Sequence, residues 1–339
     1  GNNVSVTATD PVGNTSAATT LALVIDTAAS TAPSATLAVA SDSGTAGDNV
    51  TTDTTPSLAG TGATAGDTIT VTTPKGEVLT ATVAGDGTWS VTPTVAFDEG
   101  SNNVSVTATD PAGNVSAATT LALVIDNAAP AAPPATLAAA SDTGAAGDGT
   151  TNDTTPAIAG TGATAGDTIT VTTPKGEVLT ATVAGDGSWS VTPTIAFDEG
   201  SNNVSVTATD PAGNVSAATT VALVIDTAAP TAPPATLATA SDSGTTGDNT
   251  TNDTTPTING TGATAGDTIT VTTPKGEVLT ATVAGDGSWS ATPTVAFDEG
   301  SNNVSVTATD PAGNISAATT LALIIDTAAP TAPPATLAT

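Results

Sequence analysis

The sequence predicts an all-β chain: tandem seven-stranded antiparallel β-sandwiches arranged end to end as an extended rod. Three observations carry this. Identical phrases recur every 100 residues, apolar and polar residues alternate inside each unit, and no stretch of useful length has helical periodicity. NNVSVTATDP begins at residues 2, 102, 202 and 302, and TPKGEVLTATVAGDG at 73, 173 and 273, without insertion or deletion between copies. Periods of about 20–50 residues mark single supersecondary elements, whereas about 100 residues matches an independently folded sandwich.

Proline-rich stretches at 31–36, 129–136, 229–236 and 329–336 divide the chain. They give the closing strands of a preceding, truncated repeat (1–29), three complete repeats (30–129, 130–229 and 230–329), and the start of a next linker or repeat (330–339). Such stretches are expected to be short, semi-rigid, polyproline-like connectors. Beginning inside one repeat and stopping inside a linker, the chain reads as a cut from a longer array.

Within the first complete repeat the elements follow in order. A first strand is expected around 36–40, then strands at Leu58 with Gly60, at Ile69 with Val71, and at Leu79, Ala81 and Val83. Trp89, Val91, Val95 and Phe97 share one face of a fifth strand. Val104, Val106 and Ala108 mark the sixth, and Val115, Ala117, Thr119, Leu121, Leu123 and Ile125 the seventh. Turn chemistry separates them: AGD at 65–67, PKGE at 74–77, GDG at 85–87, FDEG at 97–100 and DPAGN at 110–114. Trp89, Trp189 and Trp289 alternate with apolar partners, so they read as core anchors rather than sugar-stacking platforms.

An odd number of alternating strands puts the two ends of a sandwich at opposite poles. The 41–54 loop, the FDEG loop and the end of the last strand should then face the next repeat, and the AGD, GDG and DPAGN loops the previous one. At roughly 3.3 Å per residue, strands of six to eight residues plus loops make each repeat about 40 Å long.

Charge and composition exclude several classes of function. There are 32 acidic residues, only 3 lysines, no arginine and no histidine, for a formal net charge of −29. Nothing can neutralise phosphates, which removes nucleic acid as a partner. Without His or Cys there is no Ser-His-Asp triad, thiol nucleophile, zinc finger or iron–sulfur site. Asp98 and Glu99 are adjacent with no cleft to make them an acid/base pair, so an enzyme is not expected. The longest apolar runs, such as 121–125, are too short to span a bilayer, so no membrane insertion is expected in this segment. Few bulky apolar residues and high charge are also the signature of disorder. The strict alternation argues against it, and both facts agree if a thin-cored domain needs metal to offset repulsion among its carboxylates.

What remains is carboxylate, amide and hydroxyl oxygen, the ligand set of a hard cation such as calcium. The first loop of each repeat is the leading candidate: Asp42, Asp48 and Asp53 recur as Asp142, Asp148 and Asp153 and as Asp242, Asp248 and Asp253, with Asp126, Asp226 and Asp326 closing the last strands. It is not an EF-hand, because the spacing differs and no Glu closes the loop. Asp and Asn beside Gly also make ordinary solvated turns, so two readings stand side by side. Asp110, Asp210 and Asp310 begin natural type I turns; where such a loop meets the preceding repeat, its Asp can complete a junction ion site. Asp67 and Asp86 read as turn residues, and Lys75 as a hairpin tip with at most a weak exposed ion pair.

The run SDSGTTGDNTTNDTTPTINGTG (241–262), the GDGSWS segment (285–290), the VTATDPAGN turn (306–314) and the closing IDTAAPTAP (325–333) resemble the bacterial Ig-like repeats of giant biofilm-associated and RTX-type surface adhesins, secreted through type I systems. The resemblance covers the whole chain. It implies an extracellular, cell-surface extender rod that supports adhesion and biofilm formation, with calcium at the domain junctions. By the same resemblance Asp42, Asp48, Asp53 and Asp126 are ligands at the first junction, with Asp210 contributing from the next repeat. Partners are then the neighbouring repeats of the same chain, and any surface or biofilm-matrix ligand lies elsewhere in the parent protein. The alternative is a module that binds carbohydrate, ice or a host surface through exposed loops or Thr-rich faces such as Thr68, Thr70 and Thr72. Near-identity of the copies favours length over a specialised pocket.

Overall fold

The computed structural model describes residues 2–333; the expected start of a next repeat lies, from residue 334 onward, outside the described residues. The first elements are β1 (Asn2–Val6) and β2 (Thr19–Leu23), an antiparallel pair. The first complete repeat follows with β3 (Thr36–Leu37), β4 (Val50–Thr51), β5 (Leu58–Gly60), β6 (Thr68–Thr72), β7 (Val78–Thr82), β8 (Trp89–Val91), β9 (Gly100–Thr109) and β10 (Thr119–Ile125). The series recurs as β11–β18, from Thr136–Leu137 to Thr219–Ile225, and as β19–β26, from Thr236–Leu237 to Thr319–Ile325. Each repeat is a sandwich of a five-stranded sheet, in the order β4-β10-β9-β6-β7 for the first, and a three-stranded sheet, β3-β5-β8.

Alternation explains the layers. Ile69, Val71, Val104, Val106, Ala108, Leu121, Leu123 and Ile125 project inward from the larger sheet, and Leu37, Leu58, Trp89 and Val91 meet them from the smaller one. Burying these side chains is the main stabilising term, at about 1.5–3 kcal/mol for each large one. Gly60 pairs with Trp89 across β5 and β8. It must lack a side chain, because a Cβ there would sit 2.0 Å from the Ser34 carbonyl oxygen and 2.4 Å from the indole Nε1. The core positions are thus those the two-residue period marks out.

Three details differ from expectation. The 41–54 loop adds an eighth strand, β4, which pairs in parallel with β10 (Val50 with Val124, Thr51 with Ile125) while the remaining pairs described for this repeat are antiparallel. Val95 does not extend β8; Pro93 cannot donate to a ladder, and Val95 is 44% exposed beyond it. Val115 makes only an isolated bridge with Thr109. Ser116 takes the buried place instead, exchanging hydrogen bonds with the Ala108 main chain, so β10 starts at Thr119.

By internal contacts the chain forms two compact units. One is Gly1–Ala131 with Gly166–Thr168 and Ala208–Ala217; the other is Ala132–Ala165, Ile169–Thr207 and Ala218–Thr339. Gly166 and Asp167 of the AGD turn and the whole DPAGN turn of the second repeat therefore belong with the first repeat, and the corresponding turns of the third repeat share a unit with most of the second.

Candidate metal-binding junctions

The predicted first-loop aspartates are each engaged in a separate turn. Asp42 Oδ2 accepts from Gly47 N over 2.6 Å, Asp48 Oδ1 from Val50 N over 2.9 Å, and Asp53 from Thr55 N and Ser41 Oγ over 2.9 and 3.0 Å. Asp142, Asp148 and Asp153 repeat this pattern with Gly147, Thr150, Thr155 and Ser141, and Asp242, Asp248 and Asp253 with Gly247, Thr250, Thr255 and Ser241. Asp48 and Asp53 make Asx-type turns, while Asp42 spans a wider loop to Gly47; between them the buried Thr51 hydroxyl donates to the Ser41 carbonyl. Asp42, Asp142 and Asp242 each keep one buried Oδ1 without a hydrogen-bond partner. Asp142 and Asp148 line a cleft of about 370 Å³ beside Thr220 and Ala222. Among the described residues no three acidic side chains converge into a metal-holding group as they stand.

Charge gathers instead where one repeat meets the next. In the first unit, Asn214 Nδ2 donates to the main-chain oxygen of Asp126 over 2.9 Å and to Asp210 Oδ2 over 2.9 Å, while Asn214 N donates to Asp210 Oδ1 over 2.8 Å. Asp167, 2% exposed, lies beside them. Burial pushes its carboxyl above the usual carboxylate range, and the charges of Asp210 and Asp126 push it further. The second unit repeats the arrangement: Asn314 Nδ2 reaches the Asp226 main-chain oxygen over 2.8 Å, and Asp267 is raised by burial, then by Asp310 and Asp226. Asp310 is itself buried, and Asp267 Oδ2 is buried with no hydrogen-bond partner. In the first repeat Ser30 Oγ donates to Asp67 Oδ2. The second and third repeats have Pro130 and Pro230 at that position, which removes the hydroxyl. Asp326 stands like Asp126 and Asp226 at the end of its strand, its N bonded to the Thr251 carbonyl.

No protein cation answers this charge. Lys75, Lys175 and Lys275 are the chain's only basic side chains, and each pairs with Asp98, Asp198 or Asp298 at a hairpin tip. Uncompensated buried carboxylates cost free energy unless a cation or proton joins them. The donor set of carboxylates and main-chain carbonyls suits a hard divalent ion, so the residues present fit calcium. Beside Asp310, a cleft of about 320 Å³ lined by Gly144, Ala145, Gly266 and Thr268 gives access.

The model of the bacterial Ig-like domain matches residues 29–127, 129–227 and 229–327. The chain belongs to the bacterial Ig-like domain family. Among solved structures it is similar to a Ca²⁺-stabilized adhesin that helps an Antarctic bacterium reach out and bind ice, at 30% identity over 95% of this chain and 80% of that one, with a TM-score of 0.35. It is similar to part of a 1.5-MDa bacterial ice-binding adhesin at 25% identity, covering 87% of this chain and 99% of that one, TM-score 0.35. A tetra-tandem repeat from the extending region of a large adhesion protein shares 27% identity over 96% of this chain and 81% of that one, TM-score 0.25. No curated protein matches.

In these Ig-like repeats sequence reasoning passed over Asp67, Asp167 and Asp267 as turn residues. The signal was present in the spacing. Asp67 is in phase with Ile69 and Val71, so the two-residue period that buries them also turns Asp67 inward.

Proposed function

We propose that this chain is an extender segment of a large bacterial cell-surface adhesin, supporting cell adhesion and biofilm formation from outside the cell, with calcium stiffening its repeat junctions. The observation that carries the reading is the buried carboxylate of Asp267, whose Oδ2 has no hydrogen-bond partner and which faces the charges of Asp310 and Asp226. Three near-identical Ig-like domains suit a spacer, and the sequence resembles adhesin repeats throughout.

On this reading Asp126, Asp167 and Asp210 hold one ion, and Asp226, Asp267 and Asp310 another. The first-loop sets hold further ions through the free oxygens of Asp42, Asp142 and Asp242 beside Asp48, Asp148 and Asp248. Asp53, Asp153 and Asp253 shape those loops, and Asp110 and Asp326 serve junctions with further repeats. When bound, calcium supplies the charge that lets opposed carboxylates remain together, so a weakly packed string resists bending. Net negative charge elsewhere keeps such rods soluble and mutually repulsive.

Calcium titration by calorimetry on the whole chain, with small-angle scattering in calcium and then in chelator, tests this. Binding heat, a rise in melting temperature and a narrower spread of dimensions with calcium are expected. Absence of binding heat, with melting temperature and maximum dimension indifferent to the ion, sinks it.

A further inference from the structure

We propose that the DPAGN turns of the second and third repeats are docking surfaces for the small-residue loop of the repeat before each, and that turn and loop form a metal-independent clasp. The proposal deepens the extender reading, but it rests on different atoms from the carboxylates.

The acceptor side follows from how the turn spends its own hydrogen bonds. Asp210 takes the Asn214 main-chain N–H with its carboxylate and the Gly213 N–H with its carbonyl, closing the turn on itself. The carbonyls of Pro211 and Ala212 are left facing outward as neutral acceptors. In the first unit Thr45 N donates to Pro211 O over 2.8 Å and Ser43 Oγ to Ala212 O over 2.6 Å. In the second, Ala145 N donates to Pro311 O over 2.8 Å and Thr143 Oγ1 to Ala312 O over 2.6 Å. The residues change from Ser to Thr and from Thr to Ala, yet the bonds persist. One donor is main chain, and the other is a hydroxyl that both Ser and Thr carry.

Between the two donors sits a glycine that the contact requires. A Cβ on Gly44 would lie 2.0 Å from Pro211 O and 2.6 Å from the Ala212 carbonyl carbon; on Gly144 it would lie 2.1 Å from Pro311 O. Ala212 and Ala312 are fully buried. Neither bond involves a charged group, so neither depends on an ion.

Gly244 supplies the internal control. Its φ of +80° is as left-handed as the +75° of Gly144, but an added Cβ there meets nothing within 4 Å. Residue-resolved hydrogen exchange on the whole chain, in calcium and in chelator, compares wild type with Gly144→Ala and Gly244→Ala. The Ala145 amide is expected to be protected in wild type under both conditions. Gly144→Ala should speed its exchange by roughly tenfold in both, as loss of a net hydrogen bond allows, and Gly244→Ala should leave it unchanged. Protection of Ala145 in wild type only when calcium is present, a measurement that needs no variant, overturns the clasp. So does a Gly144→Ala effect on Ala145 no larger than that of Gly244→Ala. A protected Ala145 in a chain that shows no calcium heat keeps the clasp and removes the calcium reading instead.

Discussion

Asn314 joins two repeats at one atom: its Nδ2 donates over 2.8 Å to the main-chain oxygen of Asp226 and over 2.9 Å to Asp310 Oδ2. One amide thus holds a turn closed and ties it to the end of a strand in the preceding repeat. Asn214 does the same with Asp126 and Asp210. Replacing Asn214 or Asn314 by Ala removes both bonds, and a loss of about 1–2 kcal/mol is expected, read as a lower urea midpoint with an unchanged slope.

The buried junction carboxylates should give opposite signs with and without metal. Asp267→Asn removes a charge that burial and two neighbouring carboxylates disfavour, so in chelator the variant should melt above wild type. In excess calcium it should melt below wild type and bind fewer ions. Parallel melting scans under the two conditions check this; the same sign in both contradicts it.

Acid should act through Glu77, Glu177 and Glu277. The Glu177 carboxylate accepts from Thr194 Oγ1 and N and from Ile195 N, and these bonds, the hydroxyl's first, hold its pKa below the ordinary Glu value. A lowered folded value means the bonds stabilise the repeat above the unfolded pKa and fade as pH falls through the folded one. Glu177→Gln should therefore lower stability at neutral pH and flatten its decline below about pH 4.5, measured as urea midpoints across pH.

Gly160 should tolerate no side chain. A Cβ there would fall 1.9 Å from the Pro134 carbonyl oxygen and 2.6 Å from Trp189 Nε1. Gly160→Ala is expected to cost about 1–3 kcal/mol through overpacking. Trp189→Phe, which removes an indole N–H that has no partner, should cost less than Trp189→Ala at about 3–5 kcal/mol. Tryptophan fluorescence during urea unfolding reads the glycine variant; circular dichroism reads the others.

The lysine pairs should matter little. Lys175 meets Asp198 at an exposed hairpin tip, where an ion pair contributes less than about 1 kcal/mol and is screened by salt. Lys175→Ala should leave the melting temperature within a degree or so, by scanning calorimetry.

Much of the fold was legible because a β-sandwich is encoded locally. Val104, Val106 and Ala108, and Leu121, Leu123 and Ile125, declare their inward face through spacing alone, and the folded repeat buries all six. The same reasoning failed where one residue redirects the chain, as Pro93 does before Val95 and as Ser116 does after Val115. Asp42, Asp48 and Asp53 show the limit at the site. Their clustering in sequence is real, but one oxygen of each carboxylate is claimed by an amide within a few residues, a demand that spacing alone does not reveal.

By itself the amino-acid sequence determined the repeat length, the all-β class, the inward residues and the oxygen-only chemistry available to any ligand, because these depend on residue type and short-range period. Tertiary structure alone decided that Asp167 and Asp267 sit buried against Asp126 with Asp210 and against Asp226 with Asp310. It alone decided, too, that Gly44 and Gly144 lie flat on the next turn. Those relationships join positions far apart in the chain, and only folding of both partners brings their charges and surfaces together.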